Sequence, residues 1–354
     1  MKKLRVNLKE NSYDILIDKG ILSNIGREVK KVFHGDKIAV ITDENLSRYY
    51  RNSIEEELLK EGFNVKIIVL KPGEKTKDFN TLPYIYEELL DFNLTRSDLI
   101  IAFGGGVIGD IGGFVSATYL RGISFIQVPT SLLAQVDSSV GGKVAVDLHR
   151  GKNLVGAFYQ PKLVIIDTEV LNTLEDRFFN DGMAEVIKYG CIKDKNLFSM
   201  LQNLKGRKEV MENIEDIVYT CCDIKRRIVE IDERDTGERM ILNFGHTLGH
   251  AIEKYYNYEV FTHGEAVAIG MHLITILSEE KKIAKEGVSQ LLKEILLKHN
   301  LPCKINIEDK KKFIENIKLD KKNLNNNLNL IVIKDIGEAF ILKENISFFD
   351  SVTI

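Results

Sequence analysis

The sequence predicts an α/β amino-terminal domain, Rossmann-like with a mostly parallel sheet, over residues 1–174, and a mainly helical, all-α domain over residues 175–354. Three observations carry this. Short β-branched runs alternate with amphipathic helical stretches through the first half, the pattern of a parallel sheet covered by helices. Beyond Leu174 the periodicity turns helical over long stretches. One apolar run of the first half ends in three consecutive glycines, as strands do where the chain turns into a helix.

Taken in order, Leu4–Leu8 and Tyr13–Ile17 resemble a hairpin appended to the sheet. The strands of the sheet itself are Lys37–Thr42, Asn64–Leu70, Leu99–Phe103, Ile123–Val128 and Leu163–Asp167, each bounded by Gly, Pro, Asp or Asn. Between them, Leu46–Glu61 and Thr81–Leu90 are helix-patterned. In the second domain the amphipathic segments are Phe179–Lys188, Asn213–Arg227, His246–Lys254, Glu265–Ile283 and Glu286–His299. A Lys/Asn-rich surface loop, Lys321–Asn329, precedes a strand-like end at Leu330–Ile333 and Ala339–Leu342. A cleft is expected between the domains.

A chain of 354 residues has room for both. Lys+Arg at 49 against Asp+Glu at 52 argues against a nucleic-acid binder, which needs a basic excess. Nothing approaches the roughly 18 apolar residues of a membrane span, and the amino end alternates polar and apolar residues, unlike a signal peptide. Cys191, Cys221, Cys222 and Cys303 form no CxxC pair or framework spacing. They suit a reduced compartment, so a cytoplasmic enzyme is expected.

Two regions carry chemistry. In LIIAFGGGVIGD, Leu99–Asp110, a strand, Gly104, Gly105 and Gly106, and a helix start with Gly109 fit GxGxxG in its strand–turn–helix setting. Such a turn lets backbone N–H groups approach a pyrophosphate; it also serves plain tight packing, and both readings stand on sequence. No carboxylate lies at the usual distance downstream, the next after Asp110 being Asp137, so Asp43 with Asn45 beside it is the candidate for a ribose, favouring NAD. The second region is NFGHTLGH with THGEAVAIGM. His246 and His250 share a helix face at i,i+4, and His263 follows with Glu265 two residues on. Four of seven histidines lie between His246 and His272. Glu185, a carboxylate inside an apolar helical stretch, needs a partner if buried. Two imidazoles and a carboxylate with an open position are a catalytic Zn²⁺ pattern; hydrogen-bonded core histidines are the alternative, which suits His272.

Arg121, Lys143, Lys152, Lys188, Lys225 and Arg239, with Asp137, Asn153 and Asn243 near them in sequence, suit a small polyanion bearing phosphate and carboxylate. Lys143 and Lys152 sit in GGK and GKN contexts, read as turns beside free N–H groups. Lys225 belongs to a KRR run that an exposed helix face would explain equally, and Lys75 and Lys77 in PGEKTK read equally as a charged loop.

PGEKTK, FGGGVIGDIGGFVSATYLRGISFIQVPTSLLAQVDSSVGGK, GKNLVGAFYQP, GMAEVIKYG, LNFGHTLGHAIE and HGEAVAIGM, in that order, resemble the 3-dehydroquinate synthase family from roughly Asp43 to Met271, with DKK at Asp320–Lys322 extending the match. The resemblance implies a dehydroquinate synthase-like fold and a lyase of the shikimate pathway. That lyase cyclises 3-deoxy-D-arabino-heptulosonate 7-phosphate to 3-dehydroquinate with loss of phosphate, using catalytic NAD and Zn²⁺ or another divalent cation such as Co²⁺. It implies Glu185, His246 and His263 as metal ligands. Dinucleotide contacts fall to Asp43, Asn45, Glu74, Lys77, Gly104, Gly105, Gly106, Asp110, Thr130, Ser131, Lys152 and Thr173. Substrate contacts fall to Asp137, Lys143, Asn153, Lys188, Lys225, Arg239, Asn243, His250 and a lysine of Lys321–Lys322, here Lys322.

Of these, Lys143, Lys188, Arg239 and His250 are expected to be catalytic, with His250 relaying the alcohol proton beside the metal. Asp235 joins them, although the family commonly has Glu at that place. Arg121 would reach a neighbouring subunit's site in a homodimer. The resemblance points to a sugar phosphate substrate, and to neither nucleic acid nor membrane. The competing readings are another NAD- and metal-dependent sugar-phosphate cyclase and a glycerol-dehydrogenase-like oxidoreductase. Retention of Lys225, Arg239 and Asn243 together favours the dehydroquinate reaction.

Overall fold

The computed structural model describes residues 1–320 and 327–350. The chain divides into two compact units: Met1–Leu174 with Lys225–Arg234, and Glu175–Ile224 with Asp235–Ile354. The first unit therefore takes a later segment of chain in addition to the amino-terminal stretch.

In the first unit, β1 (Lys2–Val6) and β2 (Tyr13–Asp18) pair antiparallel. The other strands are β3 (Lys37–Asp43), β4 (Asn64–Leu70), β5 (Leu99–Gly104), β6 (Ser124–Pro129) and β9 (Leu163–Asp167), all joined in parallel. The sheet order is β1-β2-β9-β6-β5-β3-β4. Helices cover both faces, which is why the strands read as nearly continuous apolar runs. Ile38 and Val40 face α1 (Ile25–Lys30) and α2 (Glu44–Lys60), while Ala39 and Ile41 face α3 (Leu82–Asp91) and α4 (Gly106–Thr118). The chain runs from β3 outward to β4, then returns to the other side of β3 as β5. That reversal opens a crevice at the carboxyl ends of β3 and β5, where doubly wound sheets bind ligands.

The lysines read as turn residues lie elsewhere. Left-handed Gly141 and Gly142 make the turn, Lys143 opens β7 (Lys143–Leu148), and Lys152 lies in β8 (Gly151–Phe158), its antiparallel partner.

The second unit is built on α5 (Asp176–Ile192), α6 (Lys195–Asn203), α7 (Gly206–Glu212), α9 (His246–Tyr255), α10 (His263–Glu280), α11 (Val288–Lys298) and α12 (Lys310–Asp320). α8 (Ile214–Ile231) contributes residues to both units. The strand-like end is an antiparallel hairpin, β10 (Asn327–Asp335) with β11 (Glu338–Asn345). No helix among the described residues is long and apolar enough to cross a membrane.

Candidate active site

α5 is buried from Asp181 onward and carries a polar stripe: Arg177, Asp181, Glu185 and Lys188 recur at one-turn spacing. Two of these groups hold the start of α10. Asp181 Oδ1 accepts from Gly264 N at 2.5 Å, and Arg177 grips Glu265 through both carboxylate oxygens at 2.9 and 2.8 Å. Glu265 is thereby occupied, since it also closes a capping box with Thr262. Its carboxyl is held below its usual range: burial opposes the charge, but the Arg177 and Thr262 hydrogen bonds outweigh it.

With α10 so fixed, its first residue, His263, meets Glu185 and the first residue of α9, His246. Glu185 is 1% exposed. Its Oε1 lies 3.4 Å from His246 Nε2 and 3.8 Å from His263 Nε2. Two ligands each about 2.05 Å from a tetrahedral ion stand about 3.3 Å apart, so the three atoms fit around one cation. The Lys188 ammonium pairs with Glu185 Oε2, while the buried Oε1 accepts no hydrogen bond; a buried carboxylate oxygen in that state matches the donor set of a metal centre.

The far nitrogens of both imidazoles are engaged. His246 Nδ1 lies 3.1 Å from the Phe244 carbonyl, and His263 Nδ1 lies 3.3 Å from Glu253 Oε2. Burial, with the Lys188 charge nearby, pushes His246 well below its ordinary pKa, leaving it the neutral imidazole that a metal requires. Burial acts on His263 in the same direction, but Glu253 and then Glu185 override it and raise it to about 9. His250, one turn along α9, sets its ring edge-on to that of His246 at 5.6 Å and tilted to that of His263 at 5.9 Å. His272 is a core residue, its Nδ1 3.0 Å from the Cys303 carbonyl.

In the first unit, Gly104 ends β5, Gly105 caps α4 and Gly106 is its first residue. A side chain at Gly104 would run into Ile108, whose Cβ would lie 2.5 Å away, whereas Gly105 and Gly106 leave room beside Ser131 and Ser138. Asp43 ends the neighbouring β3 and caps α2, with Oδ1 accepting from Asn45 N and Leu46 N at 2.9 and 3.1 Å. Thr130 N donates to Gly104 O at 3.0 Å, Ser131 Oγ accepts from Ala134 N, and Thr173 Oγ1 lies 3.2 Å from Tyr50 Oη.

Lys77 is no loop charge, being 5% exposed. Its ammonium meets Asp110 Oδ2 at 3.0 Å, Asn153 Oδ1 at 2.7 Å and Glu74 Oε1 at 3.3 Å. Lys152 lies 3.7 Å from the same Glu74 oxygen. Burial disfavours the Lys77 charge, yet Asp110, Glu74 and Asp147 together raise its pKa. Burial lifts Asp110 to about 6 against the pull of Lys77.

Lys225 does not lie on an exposed helix face either. It is 5% exposed and donates to Asp137 O at 2.6 Å and Oδ1 at 2.8 Å. Arg121 is exposed, in a run of left-handed residues from Leu120 to Gly122. Lys143 is exposed and Asn153 is left-handed. In the second unit, Lys188 and Arg239 are 1% and 2% exposed, while Asn243 and left-handed Asp235 are half-buried. Lys322 lies outside the described residues. Asp181 and Glu253 went unrecognised in the sequence; the signals were their helical spacings, four before Glu185 and seven after His246.

Comparison with known proteins decides the family. The models for the amino- and carboxy-terminal parts of 3-dehydroquinate synthase match residues 67–181 and 182–323. A 3-dehydroquinate synthase of Clostridium botulinum (strain Alaska E43 / Type E3) is 61% identical over 99% of this chain and 100% of its own. The chain belongs to the 3-dehydroquinate synthase family. It is an enzyme, a phosphate-eliminating cyclase of the carbon–oxygen lyases. Solved structures extend the fold beyond the 3-dehydroquinate synthases. A 2-deoxy-scyllo-inosose synthase complexed with carbaglucose-6-phosphate, NAD⁺ and Co²⁺ superposes with a TM-score of 0.88 at 24% identity, over 99% of both chains. A 2-epi-5-epi-valiolone synthase from Streptomyces hygroscopicus subsp. jinggangensis with NAD⁺ and Zn²⁺ bound gives 0.89 at 21%, over 98% of this chain and 97% of its own.

Proposed function

We propose that Glu185, His246 and His263 hold a divalent cation, Zn²⁺ or Co²⁺, and that NAD binds at the carboxyl ends of β3 and β5. With these groups the chain converts 3-deoxy-D-arabino-heptulosonate 7-phosphate to 3-dehydroquinate and phosphate. The observation that carries the reading is the convergence of Glu185 Oε1 with two imidazole Nε2 atoms at 3.4 and 3.8 Å, in a chain 61% identical to a 3-dehydroquinate synthase. When bound, the cation supplies a Lewis acid for a substrate hydroxyl, and the dinucleotide takes up a hydride and returns it within the turnover.

The chain's own residues bind, align and move protons. The α4 amino terminus and the glycines before it offer N–H groups to a pyrophosphate. Both capping bonds of Asp43 fall on Oδ1, which leaves Oδ2 to a ribose hydroxyl. Asn45, Thr130, Ser131 and Thr173 complete that pocket. Glu74, Lys77, Asp110 and Lys152 hold its floor in one charged network. Lys143, Lys188, Lys225 and Arg239 neutralise the substrate's phosphate and carboxylate, while Asp137, Asn153 and Asn243 take its hydroxyls, which converts flexible-chain cyclisation into an aligned reaction. Lys322 adds a further cation.

His250, adjacent to His246 and His263, carries the proton of the oxidised hydroxyl, and Asp235 serves a later proton transfer. Exposed Arg121 completes the site of a second copy in a homodimer. The four cysteines are buried and none is in a disulfide, which accords with a cytoplasmic enzyme.

The test supplies the purified protein with the heptulosonate phosphate, substoichiometric NAD⁺ and Zn²⁺ or Co²⁺. Phosphate and 3-dehydroquinate should appear together without net NADH. Stoichiometric NADH would mark an oxidoreductase, and phosphate release only from a different sugar phosphate would mark another cyclase.

A further inference from the structure

Resting on the ligand set proposed above, we infer that Glu253 is a positioning residue: it accepts the Nδ1 proton of His263 and so aims that imidazole's Nε2 toward Glu185 and His246. Glu253 Oε2 lies 3.3 Å from His263 Nδ1, and the side chain is 4% exposed. On α9, His246, His250 and Glu253 follow at four- and three-residue steps, so one helix face carries a ligand, its neighbour and the carboxylate that turns the other ligand. His246 has the matching arrangement with a backbone acceptor, Phe244 O, at 3.1 Å. Each ring thus has one nitrogen committed and the other directed at Glu185 Oε1, at 3.4 and 3.8 Å. An imidazole free to rotate about its terminal torsion would lose that direction; a carboxylate on the far nitrogen fixes both tautomer and ring plane.

His250, Glu253 and His263 also bring three ligand atoms within 4.8 Å of one another. Two ions sharing His263 would require both its nitrogens deprotonated, whereas the hydrogen bond to Glu253 uses a proton on Nδ1. The chemistry therefore favours one ion and an orienting carboxylate over two ions.

The experiment titrates Zn²⁺ and Co²⁺ into chelator-stripped wild type, Glu253→Ala, Glu253→Gln and His263→Ala, in competition with a chromophoric chelator. It also records the Co²⁺ visible spectrum and the melting of each stripped protein. Wild type should take one equivalent. Glu253→Ala should bind about 10- to 100-fold more weakly with one equivalent retained. Glu253→Gln keeps an oxygen acceptor for Nδ1–H in an isosteric frame, so it should bind more tightly than Glu253→Ala, melt near wild type when stripped, and show a perturbed cobalt spectrum. His263→Ala should lose the ion. If His263→Ala binds as wild type does, the ligand assignment itself fails. If His263→Ala loses the ion while both Glu253 variants match wild type in affinity and spectrum, the ligand set stands and the positioning role is refuted. A wild type that takes two equivalents, falling to one in Glu253→Ala, would instead make Glu253 a ligand to a second ion.

Discussion

Gly264→Ala is the substitution for which the structure makes the sharpest demand. Gly264 follows His263 at the start of α10, where that turn presses on α5. A Cβ there would sit 2.1 Å from Asp181 O and 2.8 Å from Asp181 Oδ1. Real Cβ atoms essentially never approach below 3.0 Å, so the first turn of α10 must withdraw by about 0.9 Å or more, since the obstacle is backbone. The withdrawal costs about 1–3 kcal/mol as overpacking. It also strains the Gly264 N–Asp181 bond, whose charged acceptor makes it worth about 1.5–3 kcal/mol.

His263 moves with that turn, and its Nε2 already stands 3.8 Å from Glu185 Oε1. Metal sites hold their ligand distances to about 0.2 Å, so a shift several times larger should weaken binding at least tenfold. The assay is Zn²⁺ competition on the stripped protein, with urea unfolding alongside. Tenfold or greater loss of affinity and an early unfolding midpoint are expected. Wild-type affinity and midpoint together would show that the close approach of α5 and α10 does not set the ligand geometry, and the argument would fail.

Asp181→Ala removes the acceptor of the Gly264 N–H and should lower unfolding free energy by about 1.5–3 kcal/mol while weakening zinc binding, both read on the same samples. Lys77→Met leaves Asp110, Glu74 and Asp147 crowded without their shared cation. Removing one partner of such a buried group costs about 3–5 kcal/mol in urea unfolding, and NAD⁺ affinity by calorimetry should fall with it. Asp110 carries a proton in the folded state up to about 6, against 3.8 ordinarily. The folded form thus binds the extra proton between those values, and its contribution to stability declines as pH rises through that window. Asp110→Asn should flatten this part of the pH–stability curve; an unchanged slope would assign it to other groups.

Much of the α/β unit was legible because burial on both faces leaves unbroken apolar runs such as KIAVIT and LIIAF, which correspond to β3 and β5. The β7–β8 hairpin was not: β8 has no fully buried residue and so carries no apolar signature. α6 and α7, of nine and seven residues, are too short for a clear helical period. At the site, the helical histidine pair and the lone apolar-flanked Glu185 were readable, because ligand residues stand out by type. The residues that aim those ligands were not, since a buried Asp or Glu betrays its role only through its partner. Asp181 serves a backbone N–H, and Glu253 serves an imidazole ten residues on. Lys77 and Lys225 looked like surface charges for the same reason; their acids come from other elements.

The sheet's outermost strand has a consequence for solubility. β2 alone would present Tyr13, Ile15 and Ile17 along an open border of unsatisfied backbone groups, a template for stray chains to dock onto. β1 occupies that border, and the side chains it turns outward are Lys3 and Arg5, both paired with Asp14. The fold thus finishes its sheet with a short, charged selvedge, which guards against edge-to-edge aggregation at no expense to the catalytic end of the sheet.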